Sequence, residues 1–393
     1  MALLYASRSS RKATSGLVIR PLGRDEHLEF VRSRSDDGAG LSFLQCPSWG
    51  AVKSGWRCES LGWFRGSDLV GAGLVLYRAL PRMGRSLAYL PEGPMIDWFG
   101  DQTGIAVEDW LKPLIGALRR RGVFTVKLGP KVIARAWSAA TVKRAIAEGT
   151  YRRLGDVPAD QADARADELS LRLRSLGWRR MDRGGDGFSD FQPRYLFRLP
   201  LDGRDEQQVS AEFSQQWRRN IRLAERAGVQ VERVDSAGLP EFHRLYTQTA
   251  ARDQFTPRPL EYFQRMFDVI NAEDPERIRL YIAQRGTESL AAATMVRVGS
   301  YAWYSYGASA NEGREHRPSN ALQWRMIEDC LADGMSVYDL RGISDTLDPA
   351  HHLHGLLRFK VGLGGEAVEY LGEWDYPINP VLHRAFQFYL ARR

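Results

Sequence analysis

The sequence predicts an α+β protein of two similarly built domains, and three observations carry that prediction. The chain has 393 residues, more than a single hydrophobic core usually organises. Alternating apolar runs and helical stripes are interspersed along its length, so strands and helices are mixed in each half. The order strand, helix pair, antiparallel meander, helix, strand occurs twice. No residue-level repeat accompanies it, and the duplication is read from element order alone.

In the first half, LVIRPL (17–22) reads as a strand and the stretch from about Asp25 to Ser35 as a polar helix. SFLQCPSWGAVKSGW (42–56) reads as a short strand and helix. LVGAGLVLYRAL (69–80) and SLAYLPEGPMID (86–97) have the character of meander strands. Val107, Trp110, Leu111, Leu114, Ile115 and Leu118 share one stripe of a helix over 105–121. FTVKLGP (124–130) is a buried strand stopped by Gly-Pro. In the second half VQVERV (229–234) is a strand, and Leu239, Phe242, Leu245, Tyr246 and Thr249 mark an amphipathic helix. Pro259 opens the next helix, with Leu260, Phe263, Phe267 and Ile270 inward. RIRLYIAQRG, SLAAATMVRVG and SYAWYSYGAS (277–309) form a three-strand meander, followed by a helix over 319–333 and the strand SVYDLRG (336–342).

The expected division is a flexible basic tail (1–16), a first domain (17–200), a second domain (201–375) and a C-terminal helix (376–393). Residues 135–195, rich in Arg, Ala and Asp and containing RGGDG, are the expected linker and insertion, within which LSLRLRSLGWRRM completes the first domain.

Composition excludes some classes. Hydrophobic residues make up 44% and charged residues 26%, an ordinary globular balance. No run reaches the ~18 apolar residues of a membrane span. The opening MALLYASRSSRKATSG is too short in apolar residues for a signal peptide. Its acid-free, Arg/Ser-rich character also fits a transit peptide, with a flexible tail the expected reading. A soluble, cytoplasmic protein is therefore expected, with peripheral contact at the inner membrane face left open. Cys46, Cys58 and Cys330 lack metal spacing and suit a reducing compartment. The net charge of +7 favours polyanionic partners: nucleic acid, phosphorylated ligands or an anionic membrane. The excess gathers in WRRNIRLAERAG (217–228), where Arg218, Arg219 and Arg222 stand on a helix with Ile221, Leu223 and Ala224 inward. A solvated charged face is the alternative reading of that helix.

The twofold element order is that of two acetyltransferase-like (GNAT-like) domains packed side by side. In that fold a Gln/Arg-x-x-Gly-x-Gly/Ala loop opens a helix so that backbone N–H groups hold the pyrophosphate of an acyl-CoA. Three Arg-x-x-Gly runs occur, at Arg20–Gly23, Arg119–Gly122 and Arg174–Gly177, but Asp25, Phe124 and Arg179 stand at their closing positions. CoA is therefore not the expected donor, and no cofactor is expected. HHLH (351–354) lacks an i, i+4 histidine pair and has no nearby cysteine, so no metal is expected there. A loop contacting RNA phosphate is the preferred reading of it.

Six stretches taken together resemble the FemABX peptidyltransferases: FLQCPSWGAVKSGW (43–56), YLPEGPMID (89–97), RPLEYFQRM (258–266), YAWYSYGAS (301–309), YDLRGI (338–343) and GLLRFKVGLGGE (355–366). The resemblance implies transfer of an amino acid from aminoacyl-tRNA to the stem peptide of a peptidoglycan precursor, UDP-MurNAc-pentapeptide or lipid II, forming the interpeptide cross-bridge. Two departures stand out. Residues 217–285 run directly from helices into the meander, so the long coiled-coil arm of some members is absent. The usual basic residue before Gly-Pro in the YLPEGP stretch is Glu92.

The same resemblance assigns roles to residues that chemistry alone leaves open. Arg258, before Pro259, and Lys53, ending the WGAVK helix, match cations that bind the nucleotide-linked precursor. A surface cap and a solvated lysine are the alternatives. Tyr262, four residues after Arg258, and Tyr306 match the substrate site, although strand tyrosines are mostly packing residues. Phe359 and Lys360 match a Phe-Lys pair near the reacting ester, where a fixed cation in apolar surroundings would stabilise an oxyanion. The alternative for Lys360 is a snorkelling side chain. No general base stands out: Asp339, Glu366 and Glu373 lie near the motifs but read as ion-pair or capping residues. Three other functions stay open at the sequence level. They are aminoacylation of a soluble peptide or peptidyl-nucleoside antibiotic, CoA-dependent N-acyl transfer, and non-catalytic RNA binding. No stable protein partner is inferable.

Overall fold

The structure is a computed structural model and describes residues 16–34, 40–180 and 191–390. The expected tail, apart from Gly16, and the RGGDG stretch lie outside the described residues. Two sheets organise the rest. In spatial order the first contains Leu17–Pro21, Arg57–Arg65, Asp68–Ala79, Ser86–Leu90, Val123–Leu128, Trp374–Pro377 and Arg179–Arg180. The second runs Gln230–Val234, Ile278–Arg285, Glu288–Val298, Tyr301–Ser309, Val337–Gly342, Tyr195–Pro200, Glu366–Tyr370, Ile133–Ser138 and Gln161–Ala162. Each sheet holds an antiparallel meander followed by one parallel pair, Ser86–Leu90 with Val123–Leu128 and Tyr301–Ser309 with Val337–Gly342. The helices Val107–Arg120 and Pro318–Ala332 make these two crossovers, as a parallel connection requires.

The sheets divide the chain differently from the expected boundary at residue 200. Ile133–Ser138 and Tyr195–Pro200 both pair with Glu366–Tyr370, so they belong to the second sheet. Trp374–Pro377 returns to the first sheet, between Val123–Leu128 and Arg179–Arg180. The physical cause is backbone pairing: without these exchanges, buried strands in both sheets would present unpaired N–H and C=O groups. The helix Ala164–Ser175 and Trp178 do pack into the core of the first sheet.

Two local expectations also change. SFLQC forms a 3-10 turn over Phe43–Gln45, because the Ser42 side chain accepts from Leu44 N, and Pro47 then starts the helix Pro47–Val52. The strand Arg57–Arg65 was not anticipated in the sequence, where Gly62 and adjacent charged residues hide its alternation. After Gln215–Arg226 the chain goes directly to the strand at 230 and the helices Leu239–Asp253 and Leu260–Glu273, with no coiled-coil arm among the described residues.

One apolar core crosses the seam between the halves. Phe43, Leu44, Trp49 and Val52 of the first pack with Phe242, Tyr246, Phe263, Phe267 and Trp303 of the second. The rings of Phe43 and Trp303 meet edge-on with centroids 5.2 Å apart. A buried polar clamp reinforces it: Glu273 accepts from Ser48 N at 2.7 Å and from Ser48 Oγ at 2.8 Å, and also pairs with Arg277.

Candidate active site

The clamp fixes the short helix Pro47–Val52 against Leu260–Glu273, and this brings two cations together. Lys53 caps the C-terminal end of the first helix, and its ammonium lies 4.5 Å from the centre of the Trp49 ring and 5.9 Å from that of Tyr262. Arg258 precedes the second helix, whose N-cap is Pro259, and its guanidinium lies 4.8 Å over the same Tyr262 ring. The expected neighbourhood of Arg258 and Tyr262 is thus realised across a helix start rather than within a helix. Tyr262 is buried, and its hydroxyl meets that of Tyr306 at 3.1 Å. Burial and the adjacent Tyr306 push the Tyr262 phenol up. Burial, with Arg258 nearby, pulls Lys53 down to about 8. Neither cation pairs with a carboxylate among the described residues.

The second cluster lies where the parallel strands of the second sheet part. Tyr301–Ser309 pairs with Val337–Gly342 only from Tyr301↔Val337 to Trp303↔Asp339. In the first sheet the equivalent pairing runs on from Ser86↔Val123 to Leu90↔Leu128. One parted strand carries a bulge at Ser305, so Tyr304 and Tyr306 face opposite sides: Tyr304 packs under the helix Pro318–Ala332, while Tyr306 joins the core between the halves. The other strand is irregular between Asp339 and Gly342, with Arg341 at φ 62°, a conformation that disfavours non-glycine residues by roughly 1–2 kcal/mol.

Lys360 sits on the helix His354–Val361, 4% exposed, and its Nζ donates to the Gly342 carbonyl at 2.6 Å. The Arg341 carbonyl lies at 3.5 Å. Burial pulls its ammonium down to about 7, with Asp339 opposing and Arg341 adding to the fall. A snorkelling lysine would reach solvent; this one is enclosed. Phe359 is half-buried against Trp217, with ring centroids 4.7 Å apart, and its carbonyl accepts from Trp217 Nε1 at 2.8 Å. Gly362 permits this approach, because a Cβ there would lie 2.2 Å from the Trp217 ring. Trp217 belongs to Gln215–Arg226, so the arginine-bearing helix is docked directly on the Phe-Lys helix.

On that helix Arg219 and Arg222 are exposed, whereas Arg218 is half-buried and donates to the carbonyls of Ala211 and Phe213. Arg218 therefore closes the preceding turn and is not presented to a partner as the sequence led us to expect. Glu92 is also explained. It is half-buried, accepts from Ser42 Oγ at 2.7 Å, and pairs with Arg341 Nη1 at 2.8 Å. The other acidic candidates are likewise engaged. Asp339 accepts from Tyr301 and from Arg341 N, Glu366 pairs with Arg198, and Glu373 accepts from Tyr89. Of the HHLH stretch, His354 is buried at the start of the Lys360 helix, and no group of metal-ligating side chains occurs among the described residues.

Trp49, Trp217 and Arg341 are the contributors that the sequence reading missed. Trp49 carries a signal, standing one helical turn before Lys53. Trp217 and Arg341 act across 142 and 249 residues of sequence, and no local pattern marks them.

The sequence model of the FemAB family matches residues 22–284 and 270–390. The chain belongs to the FemAB family, whose members are aminoacyltransferases. Among characterised relatives, a lipid II:glycine glycyltransferase of Staphylococcus aureus is 23% identical over 92% of this chain and 93% of its own length. Among solved structures, the crystal structure of FemX superposes with a TM-score of 0.75 at 21% identity, covering 93% of this chain and 99% of that one. A tandem GNAT protein from the clavulanic acid biosynthesis pathway superposes with a TM-score of 0.51 at 13% identity over 93% of this chain and 99% of its own. The FemAB member described here has the fold of two GNAT-like domains, as its element order implied.

Proposed function

We propose that this FemAB protein moves an amino acid from aminoacyl-tRNA to the stem-peptide amine of a peptidoglycan precursor, UDP-MurNAc-pentapeptide or lipid II, building an interpeptide cross-bridge. One observation carries the reading: Lys53 and Arg258, from opposite halves, converge on the Tyr262 ring with no carboxylate between them. Two like charges so placed repel, and Lys53 has already lost part of its hold on a proton. A diphosphate, the group common to UDP-linked and lipid-linked precursors, relieves that repulsion through charge-assisted hydrogen bonds. The glycyltransferase relative, aligned over nearly its whole length, supports the same substrate class.

The reaction follows from the second cluster. The acceptor amine attacks the ester carbonyl of the charged tRNA, a C–N bond forms, the ester C–O bond breaks, and the 3′-oxygen leaves with the proton released by the amine. Lys360, as an ammonium in low-dielectric surroundings, stabilises the tetrahedral oxyanion and the departing oxygen. Phe359 flanks the same place, and Tyr306 orients the acceptor from the facing strand. An activated ester already supplies driving force, so orientation can substitute for a dedicated base. Arg219 and Arg222 extend the contact along the tRNA backbone, on a helix fixed to Phe359 through Trp217. The protein acts at the cytoplasmic side, where charged tRNA is found, and meets the membrane through its lipid-linked substrate.

Purified protein, charged tRNA and either precursor test this directly, with the product read by mass spectrometry. Addition of amino-acid residues to the precursor, abolished by prior ribonuclease and not restored by acetyl-CoA, is expected. Transfer that survives ribonuclease would overturn the proposal.

A further inference from the structure

The ion pair between Glu92 and Arg341 joins the two halves beside Lys360, and nothing in the chemistry above uses it. Arg341 is a hub. Its Nη1 donates to Glu92 at 2.8 Å and its Nη2 to Gln192 at 2.9 Å, its N–H donates to Asp339, and its carbonyl and that of Gly342 face the Lys360 ammonium. Both members of the pair hold backbone conformations that non-glycine residues avoid, φ 48° at Glu92 and φ 62° at Arg341. Strained backbone that persists at such a half-buried contact is over-determined by its surroundings, and such strain clusters at functional sites. We infer that the Glu92–Arg341 pair is a positioning device for Lys360, through which the first half of the molecule orients and charges the reacting cation of the second. This rests on the role given to Lys360 above.

The electrostatics agree with the geometry. Asp339 favours the Lys360 ammonium and Arg341 disfavours it. Behind them, Glu92 and Lys131 of the first half act on Asp339, and Glu92 holds Arg341 in its charged form against the effect of burial. The other elements around Lys360 contribute little charge. Lys143, Arg144 and Glu148 of the packed helix Ala139–Glu148 are exposed, Gln215–Arg226 meets the Phe-Lys helix through uncharged Trp217, and on its own helix Arg358 is exposed and His354 lies at the opposite end. The Arg341 guanidinium is held on Glu92 and Gln192 while its carbonyl faces Lys360.

The two halves of the pair therefore make opposite predictions. Glu92→Gln leaves the Arg341 charge uncompensated, so the Lys360 ammonium is disfavoured and its titration midpoint falls. Arg341→Met removes the repelling charge and the midpoint rises. Each shift is expected to be about one pH unit. E92Q/R341M returns it toward the parent, and Arg341→Lys, which keeps the charge, leaves it nearly in place. The chain has seven lysines, so selective 13Cε labelling resolves the titration by NMR, with the Lys360 signal assigned by its loss in Lys360→Met. Thermal unfolding confirms that each variant is folded. Opposite shifts that cancel in the double variant support the device; shifts of one sign, or none, overturn it. In parallel, kcat against pH should track the NMR midpoint. If Lys360→Met keeps parental kcat while the NMR midpoints still move oppositely, the device stands and the catalytic role of Lys360 falls.

Discussion

At the scale of single residues, two lysines with depressed affinity for protons define the chemistry. In the proposed reaction Lys360, pulled by burial to about 7, stabilises an oxyanion only when protonated. Its contribution is therefore present below about 7 and fades as pH rises through that value, giving kcat a falling limb on the alkaline side. Lys360→Met should lower kcat by about 10²-fold, the scale of losing one preorganised electrostatic stabiliser, with precursor affinity little changed. A loss under threefold would return Lys360 to a packing role. Lys53, at about 8 in the free protein, is raised by a bound diphosphate. Precursor affinity should then be full below pH 8 and weaken above it, with proton uptake on binding measurable by calorimetry in two buffers. Lys53→Ala and Arg258→Ala should each weaken binding by about 1.5–3 kcal/mol, and much less on an analogue without the diphosphate; equal losses on both ligands would show that these cations do not touch phosphate. That Lys53, Arg258, Tyr262 and Tyr306 would lie near one another was legible through the family motifs, whose residue types and positions are stereotyped. Their surroundings were not. Ser305 gives no sign of the bulge that turns Tyr306 away from Tyr304, and Glu92 read only as a departure from the usual basic residue until Arg341 appeared beside it.

At the scale of elements, the helix Gln215–Arg226 shows how far a charge pattern can be read. Its inward stripe was legible in part: Ile221 and Ala224 are buried as expected, Leu223 is only half-buried, and Trp217 takes the remaining inward place. Its outward face was only partly so, because Arg218 folds back onto carbonyls of the preceding turn. R219A/R222A should flatten the salt dependence of tRNA affinity by a slope of about 2, one per lost phosphate contact, while leaving precursor binding intact. Arg218→Ala should instead lower thermal stability by removing its hydrogen bonds to the Ala211 and Phe213 carbonyls, with the salt slope preserved. Fluorescence titration of charged tRNA at several salt concentrations separates the two, and a slope unchanged in R219A/R222A would remove this helix from the tRNA path. Long amphipathic helices such as Val107–Arg120 were readable within two residues, since a repeated stripe is a strong local signal. Arg57–Arg65 was missed because its identity as a strand comes from its neighbours, Leu17–Pro21 and Asp68–Ala79, more than from its own pattern.

At the scale of the whole molecule, sequence order suggested two domains meeting at residue 200, and the sheets exchange strands across that boundary. A strand near the C-terminal end, Trp374–Pro377, completes the N-terminal sheet, and Trp374 is fully buried there. Ile133–Ser138 and Tyr195–Pro200, early in the chain, flank Glu366–Tyr370 in the other sheet. Long-range pairings of this kind leave no composition shift for a linker search to find. They also predict how the chain behaves when divided. A fragment of residues 1–200 would carry two strands whose partner is missing, lack the strand between Val123–Leu128 and Arg179–Arg180, and expose Phe43, Leu44 and Trp49 at the former seam. Unpaired strands and an open apolar face favour aggregation over folding. Expressed alone, this fragment should show no cooperative thermal transition and little near-ultraviolet dichroism. Co-expressed with residues 201–393, with the break falling between Pro200 and Leu201 just before the turn at Asp202 and Gly203, it should recover a single cooperative transition and transfer activity, because every exchanged strand is then supplied. Cooperative unfolding of the 1–200 fragment by itself would show that the first sheet closes without its C-terminal strand, and that the exchanged strands are not needed for the first half to fold.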